Sequence, residues 1–269
     1  MQLKIATWNI NSVRLRADLV CRFLERWQPD ILCLQETKCP EGLFPSVLFA
    51  ARGYPHIAER GQAGYHGTAV LSRLPIAEIA TRQFCGKDDA RHIAVRLTGD
   101  GFPWVHSLYV PAGGDLPDPA LNPKFAHKIA FLDEMRSWLG NGLHDNAPHI
   151  LTGDFNVAPL EHDVWSHRQL LKVVSHTPIE TERLVAIMAG RNWYDVMRAH
   201  VPHTDKLYTW WSYRARDWAA SDRGRRLDHI WLDACYRHHR TALEVVRETR
   251  GWERSSDHVP VMVTLDLRA

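Results

Sequence analysis

The residues best suited to chemistry stand at the ends of short apolar runs, far apart in the chain. Ser255-Ser256-Asp257-His258 comes directly before one such run. Four further polar segments follow or interrupt others: Trp8-Asn9-Ile10-Asn11, Leu34-Gln35-Glu36-Thr37, Gly153-Asp154-Phe155-Asn156 and Arg226-Leu227-Asp228-His229. Carboxylates, amides and a histidine gathered at strand ends are the ingredients of a hydrolytic site built on a hard metal ion.

The first two segments also have structural interpretations. Asn9 ends a predicted strand, and its amide oxygen could join the outer shell of a metal ion or cap a helix beginning near Val13. For Asn11, helix capping is the better interpretation. Glu36 ends another buried strand, either as a metal ligand or as the partner of a nearby cation.

The later segments are more informative, although each is ambiguous alone. Gly153 allows a sharp backbone turn after a strand. Asp154 can then act as general base or ligand, and Asn156 can donate to a developing oxyanion. Asp228 could pair with a nearby arginine, or it could accept a hydrogen bond from His258 and fix the tautomer of that ring. The recurrence of such segments in this order favours one shared site.

Alternating strands and helices must position these segments. Strand-like runs cover residues 3–8, 31–34, 68–71, 93–97, 104–110, 149–152, 227–232 and 259–265. Helical periodicity covers residues 15–27 and 125–139, and a capping box starts a third helix at 178–189. Strands this frequent and irregular do not fit a simple βαβ series. We expect one α/β domain over residues 1–269, with two packed sheets flanked by helices.

The composition excludes several classes of protein. The chain has 269 residues, 45% of them hydrophobic, so it can bury a large core without disulfides. Its five cysteines lack Cys-x-x-Cys spacing, which indicates reduced thiols, and Cys21 and Cys33 should lie in the core. The 16 histidines show no zinc-finger spacing. No signal-peptide pattern or membrane-spanning run is evident, so we expect a soluble cytoplasmic protein without membrane partners.

Charge is concentrated in one stretch. Residues 205–226 contain six cations and three anions, a local balance of +3, whereas the whole chain carries only +2. Four tryptophans at 210, 211, 218 and 231 lie in or near it. The stretch is either a solvated loop or a surface that binds a polyanion.

In their order, the polar segments resemble the signatures of the exonuclease III-type abasic-site endonucleases, a bacterial branch of the endonuclease/exonuclease/phosphatase superfamily. The matching segments are Trp8-Asn9-Ile10-Asn11-Ser12, Leu34-Gln35-Glu36-Thr37-Lys38, Tyr109-Val110-Pro111, Gly153-Asp154-Phe155-Asn156, Arg226-Leu227-Asp228 and Ser256-Asp257-His258-Val259-Pro260. The resemblance spans residues 3–265. It implies a four-layer αββα sandwich and a DNA-repair nuclease that cuts 5′ to abasic sites and processes 3′ ends, using Mg²⁺ or Mn²⁺.

The resemblance also implies a role for each position. The metal-binding set is Asn9, Glu36, Asp154, Asn156, Asp257 and His258. The catalytic set is Tyr109, Asp154, Asn156, Asp228 and His258, and either Asp154 or His258 takes the proton from water. The DNA-binding set is Trp210 and Leu227 in a pocket for a flipped abasic sugar, with Arg214, Arg216 and Arg223 on phosphates or in the minor groove.

Two positions depart from the resembling pattern. Ala112 stands where many relatives carry an asparagine that can donate to a phosphate, and Arg225 stands where relatives often have an apolar pocket residue. The expected partner is double-stranded DNA with abasic sites or damaged or recessed 3′ ends. We expect a monomer that acts at the nucleoid. The rival functions are an inositol-phosphate phosphatase or lipid-headgroup diesterase, and a DNA-binding module without catalysis.

Overall fold

The structure is a computed structural model, and it describes residues 1–141, 143, 147–215 and 217–268. Its strands are β1 (Gln2–Asn9), β2 (Ile31–Gln35), β3 (His56–Arg60), β4 (Thr68–Ser72), β5 (Ile76–Thr81), β6 (His92–Leu97), β7 (Trp104–Tyr109), β8 (His149–Asp154), β9 (Tyr194–Asp195), β10 (Trp210–Trp211), β11 (Gly224–Arg225), β12 (Asp228–Leu232), β13 (Thr241–Val245) and β14 (Val261–Asp266). Its helices are α1 (Ala17–Trp27), α2 (Ser46–Ala50), α3 (Pro123–Asn141), α4 (His167–Leu170), α5 (Pro178–Gly190), α6 (Val196–His200) and α7 (Trp218–Ser221).

Two six-stranded sheets pack face to face. The first has the order β13-β14-β1-β2-β4-β3, and the second has the order β5-β6-β7-β8-β12-β9. Apolar side chains from both inner faces form one buried cluster, which includes Ile5, Val70, Val105 and Ile230. Burial of this apolar area is the main force holding the two sheets together.

Helices cover the two outer faces. The apolar face of α1 packs Val20, Phe23 and Leu24 against the first sheet. On the second sheet, Phe131 and Met135 of α3 and Leu184 of α5 share a buried cluster with strand residues. The layers are therefore α, β, β and α, and the expected four-layer sandwich is confirmed.

The strand directions bring the polar segments to one rim. The parallel pairs β1/β2 and β7/β8 both end there, since Asn9 pairs with Gln35 and Tyr109 pairs with Asp154. The antiparallel strand β12 starts at the same place, with Asp228 opposite Asp154. The residues that precede β14 also enter from this rim, because β14 runs antiparallel to β1.

Several local predictions were wrong at their boundaries. The first helix begins at Ala17 rather than near Val13, and α3 continues through Gly140 to Asn141. The capping box at Thr177 and Glu180 is confirmed. The strands β3, β5 and β13 were missed, as were the two-residue strands β9, β10 and β11.

The remaining compositional expectations concern cysteines and membranes. The five cysteines are free, with Cys21 and Cys33 buried as expected. Within the described ranges, no helix is both long enough and apolar enough to cross a membrane.

Candidate active site

Side chains from three strand ends meet at the rim. The Nδ2 of Asn9 donates to Oε1 of Glu36 at 2.9 Å and to Oδ2 of Asp154 at 2.8 Å. Asp154 lies 145 residues from Asn9 in the chain, yet both side chains are almost fully buried. One amide therefore holds two carboxylates side by side, and it donates to both rather than capping a helix.

Asn11 and Lys38 extend this network to Asp257. Asn11 Nδ2 donates to Asp257 Oδ1 at 3.2 Å. Lys38 Nζ lies 2.8 Å from Glu36 Oε2 and donates to Asn11 Oδ1 at 2.6 Å. The helix-capping interpretation of Asn11 is therefore wrong, because α1 begins six residues later, at Ala17. Burial opposes ionisation of Glu36, but Lys38 and Asn9 hold its pKa below the ordinary value.

His258 lies between two buried carboxylates. Its Nδ1 is 2.8 Å from Asp228 Oδ2, and its Nε2 is 3.7 Å from Asp154 Oδ2. Burial alone would lower the pKa of His258, but Asp228 and Asp154 outweigh burial and raise it. The site therefore favours an imidazolium ion that is oriented by Asp228.

The alternative pairing of Asp228 with an arginine is not what the fold produces. Arg226 instead forms buried ion pairs with Asp163 and Asp195, each at 2.7 Å. Thr209 Oγ1 donates to the same Asp228 oxygen that faces His258, at 2.6 Å. Asp228 is thereby fixed as an acceptor for the histidine.

Asn156 fixes the other side of Asp154. Its backbone N–H donates to Asp154 Oδ1 at 2.9 Å, and its Nδ2 donates to Asp154 Oδ2 at 3.0 Å and to the carbonyl of Val110 at 2.9 Å. Burial raises the pKa of Asp154, and the nearby carboxylate of Asp228 adds to that effect. Asp154 is consequently a stronger base than an aspartate exposed to solvent.

Tyr109 ends β7 beside this cluster and is 7% exposed. Burial raises the pKa of its phenol, and the carboxylates of Glu36 and Asp154 raise it further. The phenol therefore stays protonated and can donate a hydrogen bond. The guanidinium of Arg91 lies 4.9 Å from its ring and limits how the ring can move.

Unusual backbone conformations cluster at this rim. Asn11, Glu36, Lys38 and Asn156 all have φ near +50°. Each left-handed non-glycine residue costs about 1 kcal/mol or more and persists only where the surroundings enforce it. Gly153 serves a different purpose from the predicted turn, because it lies within β8, where a Cβ would collide with the carbonyl oxygen of Leu108.

The donor set fits a hard divalent cation. Glu36, Asp257 and Asp154 supply carboxylate oxygens, which are a ligand type that Mg²⁺ prefers. The amides of Asn9 and Asn11 hold these carboxylates in place by donating to them. Donor atoms of Asp154, Asp228 and His258 also lie within 4.8 Å of one another. Both nitrogens of His258 face carboxylates, however, so an ion cluster describes that second group better than a metal site.

A short ribbon of β10 and β11 borders the rim. Trp210 Nε1 donates to Asp257 Oδ2 at 2.9 Å, so the predicted pocket residue touches a predicted metal ligand. Leu227 is buried in an apolar cluster that Trp210 partly covers. Arg214 is exposed, and the guanidinium of Arg223 lies 4.7 Å from the ring of Trp165. Arg216 lies outside the described residues.

A comparison with known protein families identifies the family to which this chain belongs. The sequence profile of the endonuclease/exonuclease/phosphatase family matches residues 6–258, which is most of the chain. The protein belongs to the endonuclease/exonuclease/phosphatase family. It is 26% identical to exodeoxyribonuclease III of Haemophilus influenzae, over 96% of this chain and 98% of that protein. It is 27% identical to a DNA-(apurinic or apyrimidinic site) endonuclease of Dictyostelium discoideum, over 99% of this chain and 71% of that protein.

Solved structures of similar proteins give the same family assignment. An AP endonuclease from Archaeoglobus fulgidus superposes with a TM-score of 0.89 at 28% identity, covering 98% of this chain and 99% of that one. A 3′-5′ exonuclease from Neisseria meningitidis superposes with a TM-score of 0.88 at 28% identity, covering 98% and 100%. A 3′ phosphatase from Neisseria, bound to a product DNA hairpin, has a TM-score of 0.89 and 28% identity, covering 98% and 99%.

In this endonuclease/exonuclease/phosphatase family protein, sequence reasoning missed a buried supporting residue in addition to Asn11 and Lys38. Lys128 of α3 is fully buried, and its Nζ lies 2.5 Å from Glu180. It also donates to the carbonyls of Asn156 at 2.7 Å and Ala112 at 3.3 Å. A lysine three residues after the buried Phe125, on the apolar face of a helix, was the signal that could have found it.

Proposed function

We propose that this protein is a metal-dependent DNA-repair nuclease. It cuts the backbone 5′ to abasic sites and removes nucleotides or blocking groups from 3′ ends. The observation that carries the proposal is the convergence of Asn9, Glu36, Asp154 and the Asp228–His258 pair at one rim. The names of relatives that match nearly all of this chain support the same activities.

Mg²⁺, for which Mn²⁺ can substitute, is the proposed cofactor. Glu36 and Asp257 would hold it, with Asn9 and Asp154 alongside. When bound, the ion neutralises the phosphate and stabilises the departing 3′ oxygen.

The protein groups have separable tasks. Asp154 accepts the proton of the attacking water, which Asn156 helps to position. The amides of Asn9 and Asn156 already fix the orientation of the Asp154 carboxylate. His258, held through Nδ1 by Asp228, presents Nε2 to the phosphate and stabilises its developing charge. Tyr109 donates its phenol hydrogen to the same phosphate.

The proposed partner is double-stranded DNA with an abasic site or a damaged or recessed 3′ end. Trp210 and Leu227 border the pocket, and Arg214, Arg216 and Arg223 contribute affinity that falls as salt is added. We further propose that residues 1–269 act as one domain and as a monomer, in the cytoplasm and at the nucleoid.

Parallel assays test this proposal. Purified protein is incubated with an abasic duplex, a recessed 3′ end and an inositol polyphosphate, each with Mg²⁺ or with excess chelator. We expect Mg²⁺-dependent cleavage of both DNAs and no release of phosphate from the inositol compound. Turnover of the inositol compound alone would contradict the proposal, as would DNA binding without any cleavage.

A further inference from the structure

Arg225 occupies a place that the proposed nuclease function does not explain. It belongs to β11, where its backbone pairs with that of Trp210. Trp210 also pairs with His258 through an isolated β-bridge, and its indole N–H donates to Asp257. Arg225 therefore lies one side chain away from both the predicted metal ligands and the phosphate-binding histidine.

The side chain of Arg225 lies over the ring of Trp210, which borders the proposed pocket for the sugar. Its guanidinium carbon lies 5.2 Å from the centroid of the Trp210 ring. Its Nη1 donates to the carbonyl of Val174 at 3.0 Å and to Oγ of Ser175 at 2.8 Å. The buried Nε has no hydrogen-bond partner among the described residues. A partly exposed guanidinium thus lies where an apolar wall for a neutral sugar was expected.

The segment that accepts hydrogen bonds from Arg225 is itself held in place by other buried groups. Both carboxylate oxygens of Glu180 accept from the backbone N–H of Ser175, at 2.9 and 3.0 Å. Glu180 is itself paired with the buried Lys128. An incoming group that displaces Arg225 must therefore break two charge-assisted hydrogen bonds inside a firmly held segment.

The two proposed classes of substrate differ at one oxygen of the scissile phosphate. In an internal abasic site, that oxygen carries the base-free sugar, which must enter the pocket. In a 3′-terminal phosphate monoester, the same oxygen is unsubstituted and carries additional negative charge. In the 3′-terminal monoester no sugar has to enter beside the guanidinium of Arg225, and the guanidinium can pair with the charged oxygen.

We propose that Arg225 selects substrates for this site, favouring 3′-terminal phosphate monoesters over internal abasic sugars. The inference rests on the proposed nuclease function and narrows its substrate class. In the favoured reaction, water adds to phosphorus and the bond between phosphorus and the 3′ oxygen breaks. That oxygen takes a proton, and the products are a 3′-hydroxyl end and inorganic phosphate. Arg225 binds the substrate oxygen and transfers no proton.

The test compares kcat/KM on two duplexes of the same sequence, one with a 3′-phosphate at a nick and one with an internal abasic site. Wild-type protein should prefer the 3′-phosphate. Arg225→Gln should shift the ratio toward the abasic duplex by roughly tenfold or more, which is the loss of one charge-assisted hydrogen bond. The shift should come mainly from a higher KM for the 3′-phosphate. Arg225→Lys, which keeps the charge, should fall between the two.

Arg223→Gln is the matched control, because Arg223 directly precedes β11 and its guanidinium also lies over a tryptophan ring, that of Trp165. It should weaken both reactions by a similar factor and leave the ratio unchanged. An unchanged ratio in Arg225→Gln, with both activities retained, would overturn the inference. A wild-type protein that turns over neither DNA would instead refute the proposed nuclease function.

A binding measurement covers the case in which Arg225→Gln does not fold. Wild-type protein in chelator is titrated, by fluorescence anisotropy, with duplexes that end in 3′-phosphate or in 3′-hydroxyl. We expect severalfold tighter binding of the phosphate end, weakening as salt is raised. Equal affinity for the two ends would count against the role of Arg225.

Discussion

Behind the second sheet, His92, His106 and His149 form a row that is as buried as His258. The surroundings of His92 and His106 favour the opposite charge state from those of His258. In the row, His92 Nε2 lies 3.0 Å from His106 Nδ1, and His106 Nε2 lies 2.9 Å from His149 Nδ1. The ring of Trp138 packs edge-on against His92 and His106, at 5.0 and 5.6 Å. At the rim, by contrast, two carboxylates flank His258.

The contrast shows what burial does to His92 and His106, whose pKa values are not raised by any acid among the described residues. Burial lowers the pKa of His92 to about 3, with Arg60 and Arg82 adding to the effect. Burial also places the pKa of His106 well below its ordinary value. At His258 the same burial is outweighed by Asp228 and Asp154. The neighbouring acids, rather than depth in the protein, determine whether an imidazole can serve as a cation for phosphate chemistry.

The largest expected effect is that of the metal ion, which should act at the rim and not at the row of histidines. Excess chelator should abolish cleavage of an abasic duplex, and added Mg²⁺ should restore it, because the rim supplies the oxygen ligands. Mg²⁺ should also raise the thermal midpoint of wild-type protein. Glu36→Gln should lose that stabilisation, whereas His106→Gln in the row should retain it. A Glu36→Gln protein that responds to Mg²⁺ like wild type would refute the metal assignment.

The next effect concerns the carboxylate beside His258. Asp154→Asn removes the proposed base while keeping the shape of the side chain, and it should lower kcat by about 10² to 10⁴. The circular dichroism spectrum should be unchanged. His106→Phe is the control in the row, and it should affect stability rather than turnover. Near-normal turnover by Asp154→Asn would remove Asp154 from the mechanism.

Replacing the acid that orients His258, in Asp228→Asn, should lower kcat less than Asp154→Asn does. The amide can no longer favour the imidazolium, so kcat should fall about 10- to 100-fold, as for other partners that orient a reactive histidine. KM should change little, because Asp228 is fully buried and is not expected to touch DNA. A loss confined to KM would show instead that Asp228 shapes the binding surface.

The smallest effect is on stability in acid. The folded-state pKa of His92 is about 3 and its ordinary value is 6.5, so only the unfolded chain takes up a proton between these limits. Stability should therefore be full above pH 6.5 and fall by up to a few kcal/mol as pH decreases toward 3. Urea unfolding from pH 7 to 4.5 measures this slope. His92→Leu should flatten it, and the exposed His238→Ala should not.

The sequence predicted the rim well because its residues stand at strand ends. Asn9, Glu36 and Asp154 each terminate or directly follow a buried apolar strand, and strand ends of parallel pairs share one edge. The order of the segments along the chain was therefore enough to predict a shared site.

Other features depend on contacts that local pattern does not encode. Arg226 pairs with Asp163, which lies 63 residues away, so of the two interpretations of Asp228 the pairing with a nearby arginine was the wrong one. Five of the six residues of β5 are exposed, leaving no hydrophobic alternation to detect. Asn11 was misjudged because the helix start was misplaced by four residues, which moved the expected cap onto a residue that contacts Asp257 instead.

Trp210 contacts both Asp257 and Arg225 through a single indole ring. One edge of the ring system donates to Asp257, and the guanidinium of Arg225 rests on its face. We infer that a DNA end displacing Arg225 would act on the same ring that donates to Asp257, so substrate fit and the position of that carboxylate would be coupled.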